Sequence, residues 1–221
     1  MIDFAHARKT MVDNQLRTSS ITDRRILNAM GKVPRELFVP EARRDLAYID
    51  AAQSYTGYGV ATRYLSAPVP FARLVQLAEI GAADTVLDVG AGTGYSTAVI
   101  AELAGHVIGV EAEAHLAEHG RDALASLGLT NVEIVVAPFE TGVPAKGPYD
   151  VIIIEGSIAA VPKTLLEQLR DGGRIATLIR TGRTSVAHLY LKTGKDITSR
   201  AGFDAGMPSI LADKTSGNFI F

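Results

Sequence analysis

VLDVGAGTGYSTAVIAE, residues 86–102, is the stretch whose reading decides the fold. An apolar run from Val86 to Val89 meets Gly90, Gly92 and Gly94, and a helical pattern starts at once. Glycine suits a backbone that takes positive φ or comes close to another group. A strand, a glycine-rich turn and a helix mark the carboxyl end of a strand in an open α/β sheet, where ligands bind. The first turn of such a helix has free N–H groups for a polar ligand. Glu111, about 20 residues further on, ends the next apolar run, and a carboxylate there can accept both hydroxyls of a ribose. Gly90, Ala91, Gly92, Gly94 and Glu111 therefore read as a nucleoside site.

The pattern around the turn is α/β. Strands are predicted over 85–90, 106–111, 132–137, 149–155, 174–180 and 186–192, with a last one within 218–221. Helices are predicted over 96–103, 112–127 and 161–170. Val151 to Ile154 is apolar on both faces, as a central parallel strand requires. Alternating β and α implies a mostly parallel seven-stranded sheet with helices on both faces and right-handed crossovers. The late strands have no helices between them, so they are expected to add antiparallel strands at one edge. Before Gly81 the pattern is helical and irregular. FAHARKTMVDNQL reads as a helix, TDRRILNAMGKV as a second with Thr22 as its cap, and PFARLVQLAEIG as a third ending at Gly81. Residues 55–70 read as loop. The division is an N-terminal helical and acceptor-loop extension, 1–81, and a ligand-binding core, 82–221.

Composition narrows the function. The chain has 221 residues, 47% hydrophobic and 21% charged, enough for a substantial core. A net charge of −2 gives no steering towards nucleic acid or an anionic membrane. There is no cysteine, which removes thiol chemistry and thiolate metal sites. MIDFAHARKT carries charge where a secretory leader needs apolar residues, and no apolar run nears the roughly 18 residues of a membrane span. The expected location is the cytoplasm.

The nucleoside has its own signature. The spacing is G-x-G-x-G, with Tyr95 where the dinucleotide fingerprint has its last glycine. Asp88 stands directly before the turn. A carboxylate there repels a pyrophosphate and suits a ligand bearing ammonium or sulfonium. S-adenosyl-L-methionine has ribose, ammonium and sulfonium and no phosphate, so it is preferred over a dinucleotide.

VLDVGAGTGY resembles motif I of the class I methyltransferases, which implies a Rossmann-like class I methyltransferase fold. The front of the chain is more specific. SSITDRRILNAMGKVPRELFVP, followed by AYID at 47–50, resembles the amino-terminal segment of protein-L-isoaspartate O-methyltransferases. Ile21, Asp23, Ile26, Leu27, Ala29, Met30, Val33, Pro34, Arg35, Phe38, Val39 and Pro40 match that segment in order. The resemblance implies methylation of the free α-carboxylate of isoaspartyl residues in damaged proteins or peptides. It also implies that Ser66, within RYLSAP, corresponds to the family's acceptor-site serine. By position alone Ser66 equally suits an N-cap for a helix starting near Pro68.

The chain departs from the family in four places, one of them the closing V-P-L-rich segment, which FDAGMPSILADKTSGNFIF replaces. Arg63 and Tyr64 stand where the family has Gln and Thr, and both become acceptor-site candidates. Ala137–Phe139 replaces a G-D-G segment, leaving Phe139 or Glu140 to border the adenine. Glu155 ends the fourth strand of the core where relatives have small uncharged residues, beside the expected methyl-transfer position. These departures keep two alternatives open: a different acceptor (an amine, hydroxyl or small molecule), or a donor-binding protein without turnover. No metal site is expected. His115 and His119 have i, i+4 spacing without an evident third ligand and read as a solvated face. Ser157 lacks the second glycine of a hydrolase elbow. Arg180 and Arg183 read as solvent-facing.

Overall fold

The computed structural model describes residues 2–60, 63–182 and 184–210. Helix α1 (Phe4–Met11) starts at Asp3, whose carboxylate accepts from the His6 N–H, and runs into a π-helical turn at Val12–Leu16. Helix α2 (Arg24–Lys32) is capped by Asp23, which accepts from the Arg25 N–H at 2.8 Å. The cap is thus one residue beyond the predicted Thr22. The Thr22 and Asp23 N–H groups both donate to the side-chain oxygen of Gln76, which ties α2 to the third helix. Two short strands, β1 (Gln53–Ser54) just before the predicted loop and β2 (Tyr64–Leu65) inside it, pair antiparallel. Helix α3 (Pro68–Ala78) starts on a proline, whose missing N–H costs nothing in the first turn, and ends before the predicted Gly81 because Glu79 turns left-handed.

The sheet is built from β3 (Thr85–Val89), β4 (His106–Glu111), β5 (Val132–Val136), β6 (Tyr149–Ile158), β7 (Leu169–Thr181), β8 (Thr184–Thr193) and β9 (Asp196–Asp204). Its order is β5-β4-β3-β6-β7-β8-β9. The pairings from β5 through β7 are parallel, β8 adds antiparallel beside β7 as predicted, and β9 pairs antiparallel beyond it. Helices α4 (Tyr95–Ala101), α5 (Ala114–Ser126) and α6 (Lys163–Glu167) connect the parallel strands. Helix α6 is shorter than the predicted 161–170, because the chain enters β7 at Leu169. The seventh strand is β9, an exposed, mostly polar edge strand that no apolar pattern announces. The predicted strand within 218–221 lies outside the described residues.

Strand parity divides the core. On β6, Val151 and Ile153 join α3, α4 and the N-terminal helices in one cluster, while Ile152 and Ile154 face α6 and the segment before β6 in the other. Glu155 inherits the face of Val151 and Ile153, towards the N-terminal segment. The β6–β7 register slips between Ile153 and Ser157, a bulge of the kind that re-aims a side chain beside a site. Among the described residues no helix is long and apolar enough to cross a membrane.

Candidate functional site

The glycine turn closes the carboxyl end of β3. Gly90, Gly92 and Gly94 all have positive φ, at 92°, 57° and 90°. The Gly90 and Ala91 N–H groups donate to the Val110 carbonyl, pinning the turn to β4. Asp88 is completely buried. Its Oδ2 accepts from the Ser96 and Thr97 hydroxyls, each at 2.7 Å, so it fastens β3 to the first turn of α4. Its Oδ1 is buried without a partner. Burial, opposed by those two hydroxyls, lifts the Asp88 pKa to about 6.

Glu111 ends β4, as predicted, and is also fully buried. It accepts from the Gly92 N–H at 2.8 Å and the Glu113 N–H at 3.1 Å. Its remaining partner is Arg63. The Arg63 Nη2 lies 2.8 Å from Glu111 Oε2 and donates to the Gly90 carbonyl at 3.1 Å. The guanidinium also lies over the Phe139 ring, 4.9 Å from its centre. Arg63 thus faces the turn and Glu111. Next to it opens a cavity of about 460 Å³, with Ala112, Glu113, Pro138, Phe139 and Glu140 among its lining. Tyr55 covers the turn from above: a Cβ on Gly92 would come within 2.6 Å of its hydroxyl oxygen.

The other side of Gly90 is a tight polar pocket lined by Tyr55, Tyr64, Ser66, Tyr95 and Glu155, with free space of about 10 Å³. Tyr64 is its outermost member, 36% exposed. Ser66 is buried, and its hydroxyl donates to Glu155 Oε2 over 3.4 Å. Glu155 Oε1 is buried and unpartnered. Burial first, and the nearby Asp88 carboxylate second, push the Glu155 pKa well above the usual carboxylate range.

The N-terminal motif explains how Ser66 is held. Arg35 is fully buried and donates from Nε to the Ala47 carbonyl at 2.6 Å and from Nη2 to the Ser66 carbonyl at 2.5 Å. Its guanidinium lies over the Tyr95 ring, 4.7 Å from the centre. Asp50 accepts from the Val69 N–H at 3.0 Å, satisfying a free donor in the first turn of α3. That task removes the capping role from Ser66. The position before α3 is Ala67, with no side-chain cap. Arg35 and Tyr55 are the site residues that sequence reasoning missed. The signal for Arg35 was an arginine set inside the apolar VPRELFVP run. The signal for Tyr55 was an aromatic in a small-residue segment, which resembles any loop aromatic.

The weaker signals stand apart. His115 and His119 lie with ring nitrogens 3.3 Å apart, and Tyr58 packs on His119. Among the described residues no group of three potential metal ligands forms. Ser157 is buried and bridged through its backbone to Pro208 and Ile210. Arg183 lies outside the described residues.

Residues 6–202 match the protein-L-isoaspartate(D-aspartate) O-methyltransferase family. The chain belongs to this family. A protein-L-isoaspartate O-methyltransferase of Rhodopseudomonas palustris is 41% identical over 165 residues, covering 75% of this chain and 74% of that protein. One from Methanoculleus marisnigri is 39% identical over 168 residues, covering 76% and 74%. A solved protein-L-isoaspartate O-methyltransferase superposes with a TM-score of 0.79 at 26% identity, over 93% of this chain and 66% of its own. A Plasmodium falciparum protein solved with S-adenosyl-L-homocysteine shares the fold, with a TM-score of 0.77 at 23% identity, over 92% and 98%. The chain is an S-adenosylmethionine-dependent methyltransferase of the isoaspartyl-repair type. The residues suit that donor in kind: a positive-φ glycine turn, a buried carboxylate at the end of β4 and a cavity beside the Phe139 ring. One feature opposes a simple fit, since Arg63 already holds the Glu111 carboxylate.

Proposed function

We propose that Gly90, Ala91, Gly92, Gly94, Glu111 and Phe139 hold S-adenosyl-L-methionine, and that Ser66 and Glu155 receive the isoaspartyl carboxylate of a damaged protein. In this reading the segment through Gly81 brings Ser66 to the acceptor, and the remainder supplies the donor side together with Glu155. Asp88 acts through the turn it fastens. The observation that carries the proposal is the meeting of Ser66 and Glu155 beside Gly90, one residue beyond the strand that leads into the turn.

S-adenosylmethionine supplies an electrophilic methyl on a sulfonium. The acceptor carboxylate is already ionised at neutral pH, so no side chain needs to remove a proton. The work left to the protein is positioning and exclusion of water. Ser66 can donate its hydroxyl to one acceptor oxygen. Arg35 fixes the Ser66 backbone from below through the Ser66 carbonyl. Burial pushes Glu155 towards its protonated form, and in that form its carboxyl can donate to the second oxygen. Ionised, it would repel the acceptor.

Ser66→Ala tests this assignment. The variant should raise KM for an isoaspartyl peptide about tenfold, the worth of one hydrogen bond to a charged group, with S-adenosylhomocysteine affinity unchanged. An unaltered KM removes Ser66 from the acceptor pocket.

A further inference from the structure

Arg63 occupies the carboxylate that the donor ribose needs. Glu111 accepts one backbone N–H from the turn, that of Gly92, and one from Glu113 just beyond β4, and the Arg63 guanidinium takes what remains. The pair is buried on both sides, at 7% and 0% side-chain exposure. Separating it without a replacement would leave two uncompensated buried charges. Ribose hydroxyls would satisfy Glu111 by hydrogen bonding but would bring Arg63 no anion.

The nearest place for an anion is one glycine away. A Cβ built on Gly90 would lie 3.4 Å from Arg63 Nη2 and 3.4 Å from Glu155 Cβ. Arg63 and the acceptor pocket thus face each other across a position kept bare of a side chain. Arg35, the other buried cation nearby, is fixed by the carbonyls of Ala47 and Ser66. Arg63 has a long side chain and follows directly on the segment that carries Tyr55, whose N–H donates to the Arg63 carbonyl at 3.0 Å. Ile210 Cδ1 lies nearer still to the Cβ built on Gly90, at 3.1 Å, so it is the side chain that must give way for the guanidinium to cross from one side of Gly90 to the other.

We propose that Arg63 is a donor-responsive cation: it closes the donor site by pairing with Glu111, is displaced when the ribose takes that carboxylate, and then pairs with the carboxylate of the acceptor. This rests on the donor and acceptor assignments above. It makes binding ordered, donor first, and makes the affinity for an anionic acceptor depend on the donor. It also accounts for arginine at a position where the family has glutamine, which offers no charge to either carboxylate.

The test uses the whole chain and Arg63→Met, which keeps an unbranched apolar stem against Phe139 and removes the charge. Calorimetric titration with S-adenosylhomocysteine should show about tenfold tighter binding to the variant, because the internal competitor is gone. The KM for an isoaspartyl peptide should rise about tenfold in the same variant, because the acceptor has lost its cation. Opposite signs in the two readouts are the signature, since a merely destabilising substitution would weaken both. Unchanged or weaker donor binding overturns the proposal, as does tighter donor binding with an unaltered KM. If neither protein binds S-adenosylhomocysteine, the donor assignment itself fails. Should the variant not fold, the wild type still decides: rapid mixing with increasing S-adenosylhomocysteine should give a rate that levels off, because the ion pair must open first. A rate that climbs linearly throughout overturns it.

Discussion

Asp88→Asn separates the cost of a buried charge from the architecture of the turn. Asp88 is fully buried, and only one of its oxygens has partners. Burial raises its pKa from 3.8 to about 6, against the lowering effect of the Thr97 and Ser96 hydroxyls. A raised acid pKa means that the folded state holds the proton to higher pH than the unfolded chain. Stability from this group therefore falls as pH climbs from 3.8 to about 6 and stays at its lower level above that. A rise of roughly two pH units corresponds to about 3 kcal/mol lost at pH 7.5. Asparagine carries no charge, and its carbonyl can still accept from both hydroxyls. It gives back about 1 kcal/mol through weaker neutral hydrogen bonds. The cleaner quantity is the pH dependence of the difference between variant and wild type. Between pH 5 and pH 7.5 the variant should gain on the order of 1 kcal/mol relative to wild type by linkage. Urea unfolding at the two pH values measures it. Parallel pH profiles would refute the argument, whatever the absolute stabilities.

Glu155→Gln mimics the protonated acid, so isoaspartyl turnover should be retained or raised, and the wild-type KM should increase with pH as Glu155 ionises above the usual carboxylate range. Loss of turnover in this variant would instead favour an amine or hydroxyl acceptor for which the carboxylate is needed. Gly92→Ala would place a methyl 2.6 Å from the Tyr55 hydroxyl oxygen on a backbone at φ 57°. It should cost about 2–4 kcal/mol from left-handed strain and overpacking, read by thermal melting, and a variant within about 0.5 kcal/mol of wild type would show that Tyr55 is not seated on the turn.

The parallel part of the fold was legible because buried strands are rich in apolar residues: Val151 to Ile154 is apolar throughout, and Val86 to Val89 is broken by Asp88 alone. Strand β9 was not, because an exposed edge strand is chosen by pairing and not by burial; its residues are nearly all exposed. Glu111 was legible from its distance to Gly90. The direction in which Arg63 points was not, because nothing local relates residue 63 to residue 111, and only the return of the 51–66 segment over the turn joins them. The N-cap reading of Ser66 failed for the same reason: the group that satisfies the start of α3 is Asp50, a contact between residues 19 positions apart. Local spacing reveals the turn and its carboxylate. The partners that the N-terminal segment brings to them are tertiary facts.

This chain, as a member of the isoaspartyl methyltransferase family, transfers a methyl from S-adenosylmethionine to the carboxylate of isoaspartyl residues. The most direct measurement incubates the protein with methyl-labelled donor and two peptides of one sequence, one carrying L-isoaspartate and the other L-aspartate. Base-labile label should appear on the isoaspartyl peptide alone. Label on neither peptide while S-adenosylhomocysteine binds, or base-stable label on an amine or hydroxyl, would contradict the account.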